Sequence, residues 1–448
     1  MSQLQNSISA QIRARCVGFG FFANRLYSFA YNRFAKHRTD FAIIEFVQES
    51  EFCNWLSIPI RFFVLYCISF SLAAKPLQVE VKAGSATLMN AETGAVLYGK
   101  HPYAPIYPAS TTKIATALFI LAEKRPPLDL MMKVSAESLR MRPLNKNGDY
   151  PPYWWYSDGT RMGLREGEML TVDALLHGLM LVSGNDAANV MAEGFCGTVP
   201  GFVEEMNQYL KRIGCNGTRY LNPHGCHHPE HITTAFDLCW MTKEALKIPK
   251  FREVVSKLSY MKPKSNKQGP SELKQMNQLL KPGRFHYPKA IGVKSGFHLD
   301  AQNTLVAAAV HEGRMLIAAV MGTANTADRY ADAIRLFETA FAEAKEIRRL
   351  FGPENIFSRQ VPGAKIELTA ALDRELLISY FPSEEPNARA FVHWDSPRLP
   401  IKKGQKVGEV RIVNEKGDLL ATGNLFAKTE VKGTVFFVLK DTVIHFFR

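Results

Sequence analysis

Three short stretches carry residue types that can perform acyl transfer. In PASTTKIATALFIL, Ser110 stands where an apolar helical run begins, and Lys113 follows one turn later on the same side. A serine hydroxyl is a poor nucleophile alone. A lysine serves as its base once desolvation or a neighbouring cation leaves the amine neutral. The helix N-terminus also favours negative charge developing at the serine. In LMLVSGNDAANVMAE, Ser183 and Asn185 separate one apolar run from a second helical run. Such a serine can relay a proton to a leaving amine, while the asparagine amide holds a substrate carbonyl and the lysine. In IGVKSGFHLDAQNTLVAAAV, Lys294-Ser295-Gly296 lie inside a strand pattern. An extended peptide can pair with such a strand, and Gly296 permits close backbone approach. Lys294 brings a second cation toward Lys113 and helps to keep it neutral, and Ser295 offers a hydroxyl to a carboxylate.

Each tripeptide alone is common; Ser271-Glu272-Leu273-Lys274 repeats the first by chance, and an isolated serine there would normally be a helix cap. The information lies in their order and in a fitting helix, loop and strand context. Strand-like runs begin at Val79, Ala86 and Ala95, around the turn signal Glu92-Thr93-Gly94. Helical periodicity dominates from Thr111 to Leu246, as in Val172 to Glu193 and Phe202 to Ile213. A strand pattern returns from Ala290 to Met321, followed by a helix from Ala327 to Ile347. Strands on both sides of a helical block predict an α+β fold, an antiparallel sheet covered by helices. Beyond Gly352, the runs AKIELTA, ELLISYF, ARAFVHW, KVGEVRIV and LLATGNLF between Pro, Gly and Asn turns predict a small all-β domain.

In this combination the chain resembles the penicillin-binding and class A β-lactamase superfamily, whose signature pairs Ser-x-x-Lys with Ser-Asp-Asn and Lys-Thr-Gly. From Val79 to Lys432 it is similar to the low-molecular-mass serine D-Ala-D-Ala carboxypeptidases, through stretches such as LMNAETGAVLYGKHPYAPIYPASTTKIATAL, LREGEMLTVDALLHGLMLVSGNDAANVMAE and FVEEMNQYLKRIGCNGTRYLNPHG. The resemblance implies that Ser110 is acylated and Lys113 is its base. It further implies that Ser183, Asn185 and Lys294 complete a proton-transfer cluster, and that the Ser110 and Phe297 N–H groups form the oxyanion hole. Ser295 and Gly296 would bind substrate, and Arg329 in NTADRYADAIRLFETAF would join Ser295 in holding the terminal carboxylate. The implied partners are peptidoglycan stem peptides and β-lactams, with no metal or organic cofactor. Two departures stand out: Ser295 replaces a threonine, and Phe297 intervenes before His298. The aromatic stretch DYPPYWWYSD either shapes the groove entrance or packs over the helical face. A β-lactamase would need a glutamate to activate the deacylating water, and Glu204 and Glu205 lie between the second and third motifs. The same motifs would also suit an endopeptidase or transpeptidase, or a noncatalytic peptidoglycan-binding protein.

With 448 residues, 46% hydrophobic and 22% charged, the chain can hold two folded domains plus terminal segments. The expected division is 75–350 for the catalytic domain and 351–432 for the β-rich domain. A net charge of +13 suggests an anionic partner. Without basic–aromatic clusters or zinc-finger spacing, nucleic acid is excluded as that partner. Residues 58–74, IPIRFFVLYCISFSLAA, read as a signal peptide cleaved near Ala73 or Ala74, or as an uncleaved anchor. The basic extension 1–57 is expected to be absent from the mature protein. Export to the periplasmic face of the membrane would let Cys196, Cys215, Cys226 and Cys239 oxidise, or they remain buried thiols. The tail 433–448 projects Phe436, Phe437, Leu439, Val443, Ile444, Phe446 and Phe447 to one side of a helix, a peripheral membrane anchor like the family's. A final strand from Val435 to Leu439 is the competing reading.

Overall fold

The computed structural model describes residues 75–143 and 150–434, together with the backbone strands Ala42–Phe46 and Tyr66–Phe70. Residues 73–348 and 379–386 form one compact unit, and 349–378 with 387 onward belong to the other.

The first unit is built on a five-stranded sheet. Its strands are β1 (Ser85–Asn90), β2 (Val96–Lys100), β3 (Ala290–His298), β4 (Gln302–His311) and β5 (Arg314–Thr323), in the order β3-β4-β5-β1-β2. Every neighbouring pair is antiparallel. The central strands are apolar along nearly their whole length because both faces are covered. Period-two alternation then sorts them. Val306, Ala308, Ile317 and Ala319 face the helical block. Leu305, Ala307, Leu316, Ala318 and Val320 pack with Tyr330, Leu336 and Phe337 on the other face.

The helical block comprises α1 (Lys113–Phe119), α2 (Val172–Leu181), α3 (Asn185–Cys196), α4 (Val199–Arg212), α5 (Ala235–Leu246) and α6 (Pro249–Ser256). A further helix, α7 (Thr326–Phe341), covers the opposite face. Side-chain caps fix several starts: Thr171, Thr198, Thr234 and Asn325 each accept a backbone N–H from the first turn. The helix α1 is wholly buried, which explains its unbroken apolar sequence. An antiparallel sheet between helical layers is the expected α+β arrangement.

Local boundaries differ from the sequence expectation at four places. Val79–Ala83 is not a strand. The run Val172 to Glu193 is two helices, because Ser183 adopts φ +62° and turns the chain between them. The helix α7 stops at Phe341, and Glu346–Phe351 is a strand. Ser271–Lys274, the chance match, is a strand paired with Ser259–Lys262, so its serine and lysine have no helical register.

In the second unit, Leu368–Leu372, Ala388–Trp394, Lys406–Val413 and Leu419–Ala427 show alternating burial and belong to an antiparallel sheet. Tyr66–Phe70, inside the expected signal peptide, runs as a strand beside Ala388–Trp394. The remainder of that segment, most of the 1–57 extension and the tail from residue 435 lie outside the described residues. Cys196, Cys215, Cys226 and Cys239 are free thiols.

Candidate active site

Ser110 sits in a short 3-10 turn, Ala109–Thr112, that leads directly into α1. Three features hold that turn. Thr111 and Thr112 hydroxyls donate to the carbonyls of Pro108 and Ala109 at 2.7 and 2.9 Å. The β4 residue Thr304 donates to Pro108 at 3.1 Å. Ala109 itself holds φ +48°, a conformation that a non-glycine residue keeps only under constraint.

The turn aims Lys113 at Ser110. The Lys113 Nζ lies 3.2 Å from Ser110 Oγ, 2.7 Å from Asn185 Oδ1 and 2.6 Å from the His224 carbonyl. Two N–H bonds to the carbonyl oxygens leave a neutral amine's lone pair for the serine proton. Burial is complete and lowers the Lys113 pKa from 10.5 to about 7, so the neutral form is populated near neutral pH.

Lys294 on β3 is also buried and pushed well below its ordinary value, first by desolvation, then by Lys113 and Arg329. Its Nζ donates to the Ser295 carbonyl at 2.9 Å. The sequence assigned Lys294 the task of keeping Lys113 neutral. Burial is the cause that lowers Lys113, and burial likewise lowers Lys294.

Asn185 opens α3, and Asp186 beside it accepts N–H bonds from Met162, Gly163, Leu164 and Ala187. Thr160 donates to the Ser183 carbonyl at 2.7 Å, so residues 160–164 clasp the second motif. Among the described residues, the buried Ser183 hydroxyl has no partner, which leaves it available to a substrate or proton relay.

The third motif closes the other side. A Cβ at Gly296 would stand 2.8 Å from Ser110 N and 2.6 Å from Thr304 Oγ1, so glycine is required for β3 to approach the serine. Ser295 is buried opposite Leu305, and Phe297 is exposed, at the edge of the strand. Arg329 on α7 donates to the Gly296 carbonyl at 2.8 Å and is buried, with its Nε unpartnered among the described residues. All nine residues expected at the site are gathered around it or on the strand and helix that frame it.

Sequence reasoning did not assign a role to the loop Asn222–Cys226. Asn222 accepts from the His224 and Gly225 N–H groups and donates to the Cys226 carbonyl, building the turn that presents the His224 carbonyl to Lys113. Gly225 has φ +93°, and its Cβ would fall 1.8 Å from the Ala109 carbonyl oxygen. His231 receives the Leu221 N–H at Nδ1 and meets Thr112 through Nε2 at 2.9 Å. The signal was present as the Asn-Pro-His-Gly run, whose residue types mark a tight turn. In the aromatic stretch, Tyr153 packs against the helical core. Trp155 is buried in the domain, while Tyr156 stacks with His298 and under Arg142. Glu205 pairs with Lys124 at 2.6 Å and Glu204 with Gln208, which leaves neither positioned as a deacylating base.

The constellation can carry out acyl transfer: a serine, a neutral amine on it, an orphan hydroxyl, and a strand edge for an extended substrate. The D-alanyl-D-alanine carboxypeptidase DacF of Bacillus subtilis is 29% identical over 369 residues, covering 81% of this chain and 89% of its own. The solved structure of penicillin binding protein 5 from Haemophilus influenzae has the same fold, with TM-score 0.55 and 24% identity over 79% of this chain and 99% of that one. The DD-transpeptidase of Streptomyces K15 superimposes with TM-score 0.52 at 28% identity, over 59% of this chain and 99% of that one. The sequence profile described as D-alanyl-D-alanine carboxypeptidase matches residues 71–325, which contain all three motifs and the whole Asn222–Cys226 loop. On that match, the chain belongs to the D-alanyl-D-alanine carboxypeptidase family.

Proposed function

We propose that this serine carboxypeptidase removes the terminal D-alanine of peptidoglycan stem peptides through an acyl-enzyme on Ser110, and that β-lactams acylate the same oxygen. The observation that carries the reading is the buried Lys113 amine 3.2 Å from Ser110 Oγ. Ser110 Oγ attacks the penultimate D-alanine carbonyl and passes its proton to neutral Lys113. The oxyanion is held by the Ser110 and Phe297 N–H groups. The Ser183 hydroxyl relays a proton to the departing amine, and Asn185 and Lys294 keep the relay in place. The substrate pairs along Ser295, Gly296 and Phe297, with its terminal carboxylate between the Ser295 hydroxyl and Arg329. Water then repeats the attack on the ester, with Lys113 again accepting the proton.

The test is product analysis on a stem-peptide analogue ending in D-Ala-D-Ala, with and without an added acceptor amine. Stoichiometric free D-alanine and the shortened peptide are expected. A cross-linked product dominating at low acceptor concentration would replace hydrolysis with transpeptidation, and turnover of penicillin without peptide hydrolysis would make the chain a β-lactamase.

The same reading puts the protein outside the cytoplasmic membrane, held peripherally by the tail 433–448. It draws support from the apolar run 58–74 and the amphipathic projection of the tail. Among the described residues, no helix is long and apolar enough to cross a membrane. Fractionation of cells expressing the full chain checks this: recovery in the cytoplasmic fraction would refute export.

A further inference from the structure

The peptide that joins Ala109 to Ser110 is wedged between two glycines. A Cβ at Gly225 would fall 1.8 Å from the Ala109 carbonyl oxygen, so that oxygen lies against the Asn222–Cys226 loop. A Cβ at Gly296 would stand 2.8 Å from the Ser110 nitrogen, so the other end lies against β3. In a trans peptide the C=O and N–H point in opposite directions within one plane, and whatever holds the oxygen also aims the N–H. Ala109 holds φ +48°, so the local chain does not keep this plane unaided.

A directed chain of buried hydrogen bonds reaches the oxygen. Leu221 N–H donates to His231 Nδ1 at 3.0 Å, which leaves the ring proton on Nε2. That nitrogen stands 2.9 Å from Thr112 Oγ1. The Thr112 hydroxyl lies 2.9 Å from the Ala109 carbonyl, which only accepts, so the hydroxyl proton points there and its oxygen receives the imidazole N–H. Each proton is used once. Both side chains are buried, and the imidazole stacks on Tyr220 at 4.8 Å. Burial first, then His227, His228 and Lys113, lowers the His231 pKa to about 3, so the ring stays neutral and the direction of the chain is fixed.

We propose that His231, acting through Thr112, is a positioning residue for the oxyanion hole: it grips the Ala109 oxygen and thereby aims the Ser110 N–H at the oxygen of the reacting carbonyl. This rests on the acyl-transfer reading above, in which that N–H stabilises the tetrahedral intermediate. Neither residue exchanges a proton with the substrate; both act through the peptide plane.

The test follows acylation of the full-length protein by fluorescent penicillin, and records the difference infrared spectrum of the acyl-enzyme formed with penicillin isotope-labelled at the β-lactam carbonyl. An ester carbonyl with poorer hydrogen bonds absorbs at higher wavenumber, and this signal comes only from folded, acylated molecules. Removing an oxyanion donor outright costs about 100–1,000-fold, so misaiming one in Thr112→Val or His231→Phe should slow acylation by roughly 10–100-fold. Both variants should also move the ester band to higher wavenumber, while the noncovalent affinity read from saturation of the rate changes little. Thr112→Ser keeps the hydroxyl and should restore rate and band together. An unchanged rate in either variant, an unmoved band, or failure of Thr112→Ser to restore the rate overturns the inference. If the unmodified protein forms no adduct, the acyl-transfer reading falls and this inference with it; a normal adduct with no change in the variants defeats the inference alone.

Discussion

Lys113 makes the sharpest prediction, because its neutral fraction sets the rate at which Ser110 is acylated. At the ordinary lysine value of 10.5, about 3 in 10,000 molecules would carry a neutral amine at pH 7. With the pKa lowered to about 7, half do, a gain of roughly a thousandfold that corresponds to about 4 kcal/mol. Burial pushes the His224 imidazole down and the Cys226 thiol up from their ordinary values, both away from pH 7. The second-order rate of penicillin acylation, followed by stopped-flow fluorescence from pH 5 to 9, should rise about tenfold per unit in the acidic range and level off above about 7. The sign is that of a base that must be deprotonated. Lys113→Arg keeps the positive charge and most of the volume but cannot be neutral, so acylation should drop by about two to four orders of magnitude across the whole range. A flat profile, or a rise that continues to pH 9 without levelling off, would refute burial as the activating cause. Near wild-type labelling of Lys113→Arg would remove Lys113 from the mechanism.

Gly225→Ala forces a Cβ onto the Ala109 carbonyl from a φ of +93°, and about 3 kcal/mol of lost stability is expected from left-handed strain and overpacking together. Denaturant unfolding and penicillin labelling should both record the damage; an unchanged midpoint would mean the loop does not hold Ser110. Arg329→Ala should reduce kcat/KM by roughly 10–100-fold on peptides with a free C-terminus, through loss of a charged hydrogen bond, while C-terminally amidated analogues change little. Equal losses on both would make Arg329 a purely structural support for Gly296. Deleting Phe436 to Arg448 from the protein lacking residues 1–74 should leave activity on soluble peptide intact and abolish association with anionic liposomes. Equal partitioning of the two forms would remove the tail as anchor.

The chemistry was legible in sequence because acyl transfer restricts residue types at a few positions. Ser110 and Lys113 share a helical face whatever packs around them, and Gly296 is dictated by a close approach that any side chain would block. Period-two alternation likewise exposed the second sheet, since one face of each strand is buried and the other is wet. Other features depended on contacts distant in sequence. Nothing local in Asn222 to Cys226 says that the His224 carbonyl will meet Lys113. The break at Ser183 interrupts an otherwise continuous helical period, because the fold needs the second motif to turn toward the serine. Ser271 to Lys274 shows the converse: the local pattern matched, but pairing with Ser259–Lys262 made it a strand.

Intact-protein mass spectrometry after exposure to penicillin, followed by peptide mapping of the adduct, tests the identity of the nucleophile itself. One penicilloyl group per chain, on Ser110, absent from Ser110→Ala, is the predicted result. An adduct on Ser271, or one that persists in folded Ser110→Ala, would contradict the assignment of Ser110 as the nucleophile.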